Sequence, residues 1–389
     1  MIKKNVLVIT SRFPYPPIGG DKLKNYNLIK LLKNEYHIHF VSLIDRELNK
    51  DDIKFCEEYC SSYKVFKKSR FQSVVNLLSY SFNGKPLQVN YYYFKDVQKY
   101  INQKLEKCDL IINTLIRTSE YILQSDKPKF LDMVDSIALN YRRSQDNVKS
   151  LLWKMIYYYE TERLLQYEKM CVGHYSNTFF VNKDESEYWS KYGNTTWIPN
   201  GVNEVLLTYK KKSDSYKGYI AFFGKMDYQP NIDAVCWFME NVFDKLDKNI
   251  KCVIVGINPV NKIKEMKNSR IKVTGFIDDP YSILNSCFAV IAPMQTGGGI
   301  QNKILETMAL GKVTITTTLG ASPIVGSKDN EHLIIEDNPD KMADRINEVF
   351  TNKIKFRNIE KKSKKLIQDF YTWNSYQNIL QEMIKGEVK

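Results

Sequence analysis

The chain has 389 residues, of which 43% are hydrophobic and 26% charged, and its formal net charge is +13. The length allows two or three domains of ordinary size, and the composition excludes a disordered or low-complexity chain. Since no apolar run approaches the roughly 20 residues that span a bilayer, membrane-spanning helices are excluded too. Seven scattered cysteines, an odd number, indicate reduced thiols, no metal site and a cytoplasmic protein.

The first half of the chain predicts alternating strands and helices. Residues 5–10 form a short apolar strand, and a proline-rich loop then closes on Gly19 and Gly20. We expect Asp21 to cap a helix that runs to about residue 33, before a strand at 37–43. The loop lacks the spacing G-x-G-x-x-G, so an NAD site is disfavoured. Further helices are expected at 51–63, 71–80, 92–107 and 150–171, and further strands at 110–113, 129–134, 178–182 and 197–198.

A polar, lysine-rich stretch at residues 210–218 reads as a linker, and a second series of strands and helices follows it. Strands are expected at 219–223, 251–256, 271–275, 288–293, 313–318 and 332–335, and helices at about 231–244, 281–285, 302–310, 339–350, 359–370 and 373–384. The predicted fold class is α/β, with two doubly wound parallel sheets facing a central cleft. We predict domains at 1–204 and 205–371, with a helix at 372–389 that returns to the first domain.

A run of three glycines, residues 297–299, lies between a predicted strand and a predicted helix. Glycines let backbone N–H groups turn toward a ligand, and the start of a helix suits a phosphate. Steps of 100° place Asn302, Lys303 and Glu306 on one side of that helix, opposite the apolar residues. This pattern fits a nucleotide, with a cation on the diphosphate and a carboxylate on the ribose. It fits equally an ordinary strand–helix turn with a solvated polar face.

Together these segments resemble the group 1 (family 4) retaining glycosyltransferases of the GT-B fold, over nearly the whole chain. The motifs that carry the resemblance are the Gly19-Gly20 loop, the Ile198-Pro199-Asn200-Gly201-Val202 turn, Phe222-Phe223-Gly224-Lys225-Met226, Val273-Thr274-Gly275-Phe276, and the glycine run that leads into Leu305-Glu306-Thr307-Met308-Ala309. Several motifs in order are far more specific than any one of them.

The resemblance implies transfer of a sugar from a UDP- or GDP-sugar to a hydroxyl acceptor, with retention at the anomeric carbon and without a metal or another cofactor. The cations expected on the leaving diphosphate are Lys225, at the family's usual Arg or Lys position, and Lys303. Glu306 matches the second Glu of the family's Glu-x7-Glu motif, which binds the ribose. The residues expected to bind the donor are Gly19, Gly20, Gly224, Gly297, Gly298, Gly299, Ile300, Asn302 and Glu306.

Two positions depart from the family's pattern. Gly298 stands where the first Glu of the motif would be, a residue that often contacts the donor sugar. The family's usual lysine after the glycine and its cation is replaced here by a loop that contains Pro230 and Asn231. The identity of the sugar and the source of the second cation are therefore open.

Asp135, at the end of a predicted strand, is the candidate for the catalytic polar side chain near the acceptor hydroxyl, and Asp132 is a weaker one. The alternative is that Asp135 and Ser136 cap the following helix.

The basic charge, together with aromatic residues interleaved with lysines near residues 64–71 and 154–159, fits an anionic membrane surface. We therefore expect a peripheral enzyme on the inner face of a bacterial plasma membrane that builds a capsule, O-antigen or exopolysaccharide unit on a lipid-linked glycan. The alternative is a catalytically degenerate subunit that binds nucleotide or glycan and regulates a partner. A nucleic-acid partner is not expected, because net charge alone supports it.

Overall fold

The structure, a computed structural model, describes residues 3–80, 83–144, 151–297 and 299–387. The chain divides into two compact units, the first made of Met1–Ile198 with Gln377–Lys389 and the second of Pro199–Tyr376. Each unit has its own hydrophobic core, built around the apolar strands of its own sheet. Among the described residues, no helix is both long and apolar enough to cross a membrane.

The first unit holds a parallel sheet with the strand order β3-β2-β1-β4-β5-β6-β7 among the described residues. Its strands are β1 (Lys4–Thr10), β2 (Tyr36–Ile44), β3 (Ser62–Lys67), β4 (Leu110–Thr114), β5 (Lys129–Val134), β6 (Asn177–Phe180) and β7 (Thr195–Trp197). Its helices are α1 (Gly20–Leu32), α2 (Lys50–Tyr59), α3 (Arg70–Tyr80), α4 (Leu87–Tyr91), α5 (Lys95–Leu105), α6 (Ile137–Ser144), α7 (Leu151–His174) and α8 (Lys183–Trp189).

The second unit holds a parallel sheet with the order β10-β9-β8-β11-β12-β13 among the described residues. Its strands are β8 (Tyr219–Phe223), β9 (Lys251–Val255), β10 (Ile271–Val273), β11 (Ala289–Ala292), β12 (Val313–Thr316) and β13 (Ile334–Ile335). Its helices are α9 (Gln229–Asn241), α10 (Asn261–Lys264), α11 (Pro280–Ser286), α12 (Asn302–Ala309), α13 (Thr318–Ala321), α14 (Pro339–Thr351) and α15 (Arg357–Phe370), and α16 (Trp373–Glu387) begins in it.

Both sheets show the crossover order of doubly wound folds, so the predicted α/β class with two Rossmann-like sheets is confirmed. Two details of the first unit were predicted wrongly. The helix expected at 51–63 ends at Tyr59, and β3 follows it as an edge strand without a fully buried residue. Gly19, not Asp21, is the N-cap of α1, and Asp21 lies in the first helical turn.

The last helix, α16, links the two units through its own chain. Its start packs on the turn after Ile198, where a Cβ atom on Gly201 would lie 2.5 Å from the Trp373 nitrogen. From Gln377 onward its residues belong to the first unit. There the Met383 sulfur accepts hydrogen bonds from Asn177 of β6 and Thr196 of β7.

Candidate functional site

The loops after β8 and β9 approach each other more closely than side chains would allow. A Cβ atom on Gly256 would lie 1.6 Å from the Gly224 carbonyl oxygen, and one on Gly224 would lie 2.7 Å from the Asn231 amide nitrogen. Both positions therefore require glycine. The space left above Gly224 is occupied by the Lys303 side chain, whose Cε lies 3.4 Å from that same Cβ position.

Lys303, on the first turn of α12, is the central cation of this region. Its Nζ donates a hydrogen bond to the Asn231 amide oxygen and lies 3.3 Å from the Gln301 amide oxygen. It also lies 3.5 Å from the Met294 sulfur and 5.4 Å from the centroid of the Phe222 ring. Among the described residues it forms no ion pair, so a cation is held here by neutral groups. Burial lowers the pKa of Lys303 to about 7, although the charge of Glu306 opposes this shift.

Glu306 lies one turn further along α12, on the same side as Lys303. Burial raises the pKa of Glu306 to about 7, while a hydrogen bond from the Tyr281 hydroxyl and the charge of Lys303 act in the opposite direction. Tyr281 stands on α11, and its ring packs against Phe223 at the end of β8, with the ring centroids 6.0 Å apart. A cation and a carboxylate that both titrate near neutrality are characteristic of binding and catalytic sites.

Lys225 is placed differently from Lys303. Its side chain is exposed, and its Nζ pairs with the Asp227 carboxylate at 3.2 Å. The Asn231 amide nitrogen donates to the Lys225 carbonyl oxygen at 2.8 Å. Asn231 therefore fixes both the backbone of Lys225 and the ammonium group of Lys303. Both predicted lysines therefore contact the buried side-chain amide of Asn231, Lys303 through its ammonium group and Lys225 through its carbonyl oxygen.

The glycine run leads into α12 as the sequence predicts, although Gly298 lies outside the described residues. Gly297 has a φ of 98°, in the left-handed region that favours glycine. The Gln301 side chain donates to the Gly299 carbonyl oxygen at 3.1 Å and does not cap the helix. The first N–H groups of α12 thus lack a side-chain cap, which leaves them for an anion.

The side chains next to this helix start are half-buried. Ile300 precedes the helix, and Asn302 is its first residue. The Asn302 amide oxygen accepts a hydrogen bond of 3.0 Å from Asn200, a buried residue of the turn after Ile198. Asn302 therefore anchors the helix start to that turn, a contact that the sequence alone did not indicate.

Gly19 and Gly20 lie in the first unit, at the start of α1. Gly19 has a φ of 103° and acts as the N-cap without a side-chain hydrogen bond. A Cβ atom on Gly20 would meet no atom within 4 Å, so the backbone of this turn is open. The predicted anion donors of the first unit are therefore uncapped, as they are at α12.

Asp135 follows β5 at a strained point of the backbone. Val134 has a φ of 64°, which is rare for a β-branched residue, and the register of β5 against β6 shifts there. Ser136, not Asp135, accepts the capping hydrogen bond, since its Oγ accepts from the Leu139 N–H at 3.1 Å. Asp135 Oδ1 is buried and has no hydrogen-bond partner among the described residues.

The charges around Asp135 shift its proton affinity. Burial raises the pKa of Asp135, and Asp132 raises it further, while Lys24 and Arg143 act in the opposite direction. Asp132 itself forms a buried ion pair with Lys24 at 2.7 Å. The ion pair with Lys24 therefore holds Asp132 in the core. Of the two carboxylates, Asp135 is the one that can take part in binding.

Two residues of the second unit that sequence reasoning missed are Asn231 and Tyr281. Asn231 was noted as a departure from the family's pattern, and its contacts with Lys303 join positions 72 residues apart. Tyr281 was counted as an ordinary residue of a short helix. Within the described residues, no group of three or more His, Cys, Asp or Glu side chains could hold a metal ion.

Residues 217–352 match the sequence model of the family described as "Glycosyl transferases group 1". No curated protein sequence matches the chain. Similar solved structures include HepE from Anabaena in complex with UDP-glucose (TM-score 0.68, 13% identity, 98% of this chain and 99% of HepE). Sucrose-phosphate synthase from Thermosynechococcus elongatus (0.68, 13%, 98% and 99%) and TarM of S. aureus (0.69, 13%, 98% and 98%) are others. The match bears out the resemblance to the group 1 glycosyltransferases over residues 217–352, and the likeness to solved structures shows the GT-B fold.

Proposed function

We propose that this chain, whose residues 217–352 match the family model of the group 1 glycosyl transferases, moves a sugar from a nucleotide-sugar donor to a hydroxyl acceptor. The observation that carries the proposal is the arrangement of Lys303, Asn231 and Glu306 over the close glycine contact at the carboxyl edge of the second sheet. Open parallel sheets bind ligands at that edge. HepE, with the same fold, has been solved with UDP-glucose, which makes UDP-glucose the first donor to test.

In this reaction a nucleoside diphosphate leaves, and the protein must stabilise its developing negative charge. Lys303 and the uncapped N–H groups of α12 supply positive charge where the anion develops, and Lys225 adds a solvated cation. Glu306 accepts hydrogen bonds from the ribose hydroxyls. We propose retention at the anomeric carbon by front-side attack, in which the departing phosphate accepts the proton of the acceptor hydroxyl. No metal is required in this scheme, and Asp135 orients the acceptor.

The proposed acceptor is a lipid-linked glycan of bacterial surface polysaccharide synthesis, and the proposed location is the inner face of the plasma membrane. In support, α3 exposes apolar side chains beside basic ones: Phe71 is 80% and Leu78 73% exposed, and Arg70 is exposed next to them. On α7, Met155 and Tyr158 are exposed near the basic residue Lys154. Aromatic and basic side chains together suit an anionic headgroup layer.

Sedimentation with vesicles tests the membrane part. The protein is expected to sediment with vesicles that contain phosphatidylglycerol and not with pure phosphatidylcholine, and salt should weaken the binding. Phe71→Ser should reduce the bound fraction, whereas Lys341→Ser, on the exposed face of α14, should not. Equal binding to both kinds of vesicle would contradict the proposal.

The test of activity is release of free nucleotide from a panel of UDP-, GDP- and ADP-sugars. We expect turnover with one donor, and loss of turnover in Glu306→Ala with an unchanged melting temperature. Glu382→Ala, which changes a carboxylate on α16, serves as the matched control and should stay active. A stable protein that turns over none of these donors would refute the proposal that the chain is an enzyme.

The second candidate function is a non-catalytic subunit that binds nucleotide or glycan and regulates a partner. Gly298, in place of the family's first Glu, favours it, because that Glu often contacts the donor sugar. The retained Lys225, Lys303 and Glu306 favour the enzyme. A protein that binds UDP in calorimetry but releases no nucleotide from any donor would identify the subunit.

A further inference from the structure

The first unit contains a cavity of about 270 Å³ at the carboxyl ends of its first three strands. Ser11 and Arg12 follow β1, Asp45 and Arg46 follow β2, and Lys68 follows β3, and all of them line the cavity. Since parallel sheets bind ligands at this edge, the position suits a substrate. The predictions from sequence assigned none of these side chains to a site.

The charges that line this cavity do not balance. Arg46 is neutralised by a two-point ion pair with Asp52, and Arg12 lies 3.3 Å from Asp21. Lys22 and Lys68 also line the cavity, and among the described residues neither forms an ion pair. The acid in the lining is Asp45, whose side chain is exposed. The cavity therefore carries an excess of positive charge.

Tyr92, in the cavity wall, is affected by this excess of positive charge. The Lys68 ammonium lies 4.7 Å and the Arg117 guanidinium 5.3 Å from the centroid of its ring. Burial raises the pKa of the Tyr92 hydroxyl, but Arg117, Lys68 and Arg12 lower it, and the net shift is downward. Arg117 is itself held by a hydrogen bond from its Nε to the Gln88 amide oxygen, without an ion pair among the described residues.

Ser11 supplies a second, independent observation. Its side chain is 3% exposed and lines the cavity, and its hydroxyl has no hydrogen-bond partner among the described residues. A buried polar group without a partner costs free energy, so a hydroxyl that lines this cavity gains from a ligand that hydrogen-bonds to it. A hydroxyl next to unpaired cations is a donor set that suits a phosphate.

We propose that this cavity binds a phosphate group of the acceptor, so that the acceptor is an anionic molecule: a phosphorylated glycan or a glycan on a lipid phosphate. The proposal rests on the proposed function, because only a transferase needs an acceptor. Lys22 and Lys68, which both line the cavity, match a multiply charged phosphate better than a single carboxylate. The donor's diphosphate has its own proposed cation in Lys303, on α12 of the second unit.

Equilibrium binding to the full chain tests this assignment. The protein is saturated with UDP, so that the proposed donor site is filled, and is then titrated with glucose 1-phosphate, with dodecyl phosphate and with glucose. At least one phosphate is expected to bind, and to bind at least about tenfold more tightly than glucose. Glucose 1-phosphate alone would indicate a phosphorylated glycan, and dodecyl phosphate alone a lipid phosphate; either supports the proposal.

Variants locate the binding. Lys68→Met and Lys22→Met should each weaken phosphate binding by about tenfold, since each removes a charged contact. Lys64→Met, which changes an exposed lysine of β3, the strand that Lys68 follows, should leave the affinity for the phosphate within about twofold. Equal losses in Lys64→Met and Lys68→Met would overturn the proposal. So would the absence of phosphate binding to a protein that binds UDP, whereas a protein that neither binds UDP nor releases nucleotide would refute the proposed function instead.

Discussion

Each unit contains a lysine whose ammonium group is removed from water, and the two lysines are held in opposite ways. Lys24, on α1, is 0% exposed and forms an ion pair with the 1% exposed Asp132 at 2.7 Å. Lys303, on α12, donates to the neutral amide of Asn231 and, among the described residues, forms no ion pair. One lysine therefore has its charge matched by the fold, and the other does not.

This difference separates a lysine that stabilises the fold from one that is available to a ligand. A buried pair is costly to break, because removal of one partner leaves an uncompensated charge. A buried lysine without an ion pair loses its proton more easily: burial lowers the pKa of Lys303, and the charge of Glu306 offsets this only in part. A bound diphosphate would provide Lys303 with the ion-pair partner that it lacks among the described residues.

The largest effect should come from breaking the matched pair. Lys24→Met should lower the free energy of unfolding by about 3–5 kcal/mol, because the buried carboxylate of Asp132 would lose its ion pair with Lys24. Urea denaturation would measure this, with Lys30→Met on the exposed face of α1 as the control. If both variants unfolded at the same urea concentration, Lys24 would not be structural.

The unmatched lysine should give the converse result. Lys303→Met should lower kcat by roughly 10²–10³-fold, the usual cost of removing one group that stabilises a developing anion. Its melting temperature should not fall, because burial makes the charged form of Lys303 unfavourable to folding at neutral pH. Turnover assays and thermal denaturation would test both, with Lys341→Met as control. A variant that lost stability together with activity would make Lys303 a structural lysine like Lys24.

The pH dependence of donor binding sharpens the contrast, and UDP-glucose is the suitable ligand because its diphosphate does not titrate near neutrality. The lowered pKa of Lys303 and the raised pKa of Glu306 both lie at about 7. Above this pH the lysine is neutral in the free protein, and below it the carboxylate is protonated. The affinity should therefore be highest near pH 7 and fall by up to about tenfold per pH unit on either side.

Calorimetry from about pH 5.5 to about pH 8.5 measures this profile. Lys303→Met should flatten the alkaline side, and Glu306→Gln the acidic side, since each removes one titrating group. An affinity of the unchanged protein that did not vary over this range would show that neither group contacts the donor.

The smallest effect is expected at Lys225. Its side chain is 48% exposed and already pairs with Asp227, so water and salt screen its charge. Lys225→Met should raise KM for the donor by less than about tenfold, and the difference should shrink at high salt. A loss as large as that of Lys303→Met would mean that Lys225 moves onto the diphosphate during turnover.

Much of the fold could be predicted because the patterns that determine it are local. The apolar side predicted for α12, which includes Ile304, Leu305 and Met308, is buried as expected. Strand β3 was missed because it lies at the edge of its sheet, where none of its residues is fully buried and no apolar run marks it. On α1, Lys24 is buried through its ion pair with Asp132, which no apolar pattern in the sequence predicts.

The residue types of the candidate site could be predicted from the sequence, but the contacts between residues that are far apart in the sequence could not. Lys303 and Glu306 follow from the helical spacing after the glycine run. Asn231 holds the ammonium of Lys303 through a contact that no local pattern predicts, because 72 residues separate the two. In the same way, Asp132 was a catalytic candidate until its partner Lys24, 108 residues away, identified its structural role.

The division of the chain between the units has a consequence for synthesis on the ribosome. The second unit is one continuous stretch, Pro199–Tyr376, while the first also needs Gln377–Lys389. Leu380 and Ile384 of that last segment are buried, so the first unit lacks part of its core until they emerge. The half of the protein that is translated first is thus the half that is completed last, and during elongation we expect it to depend on chaperones that shield its apolar surface.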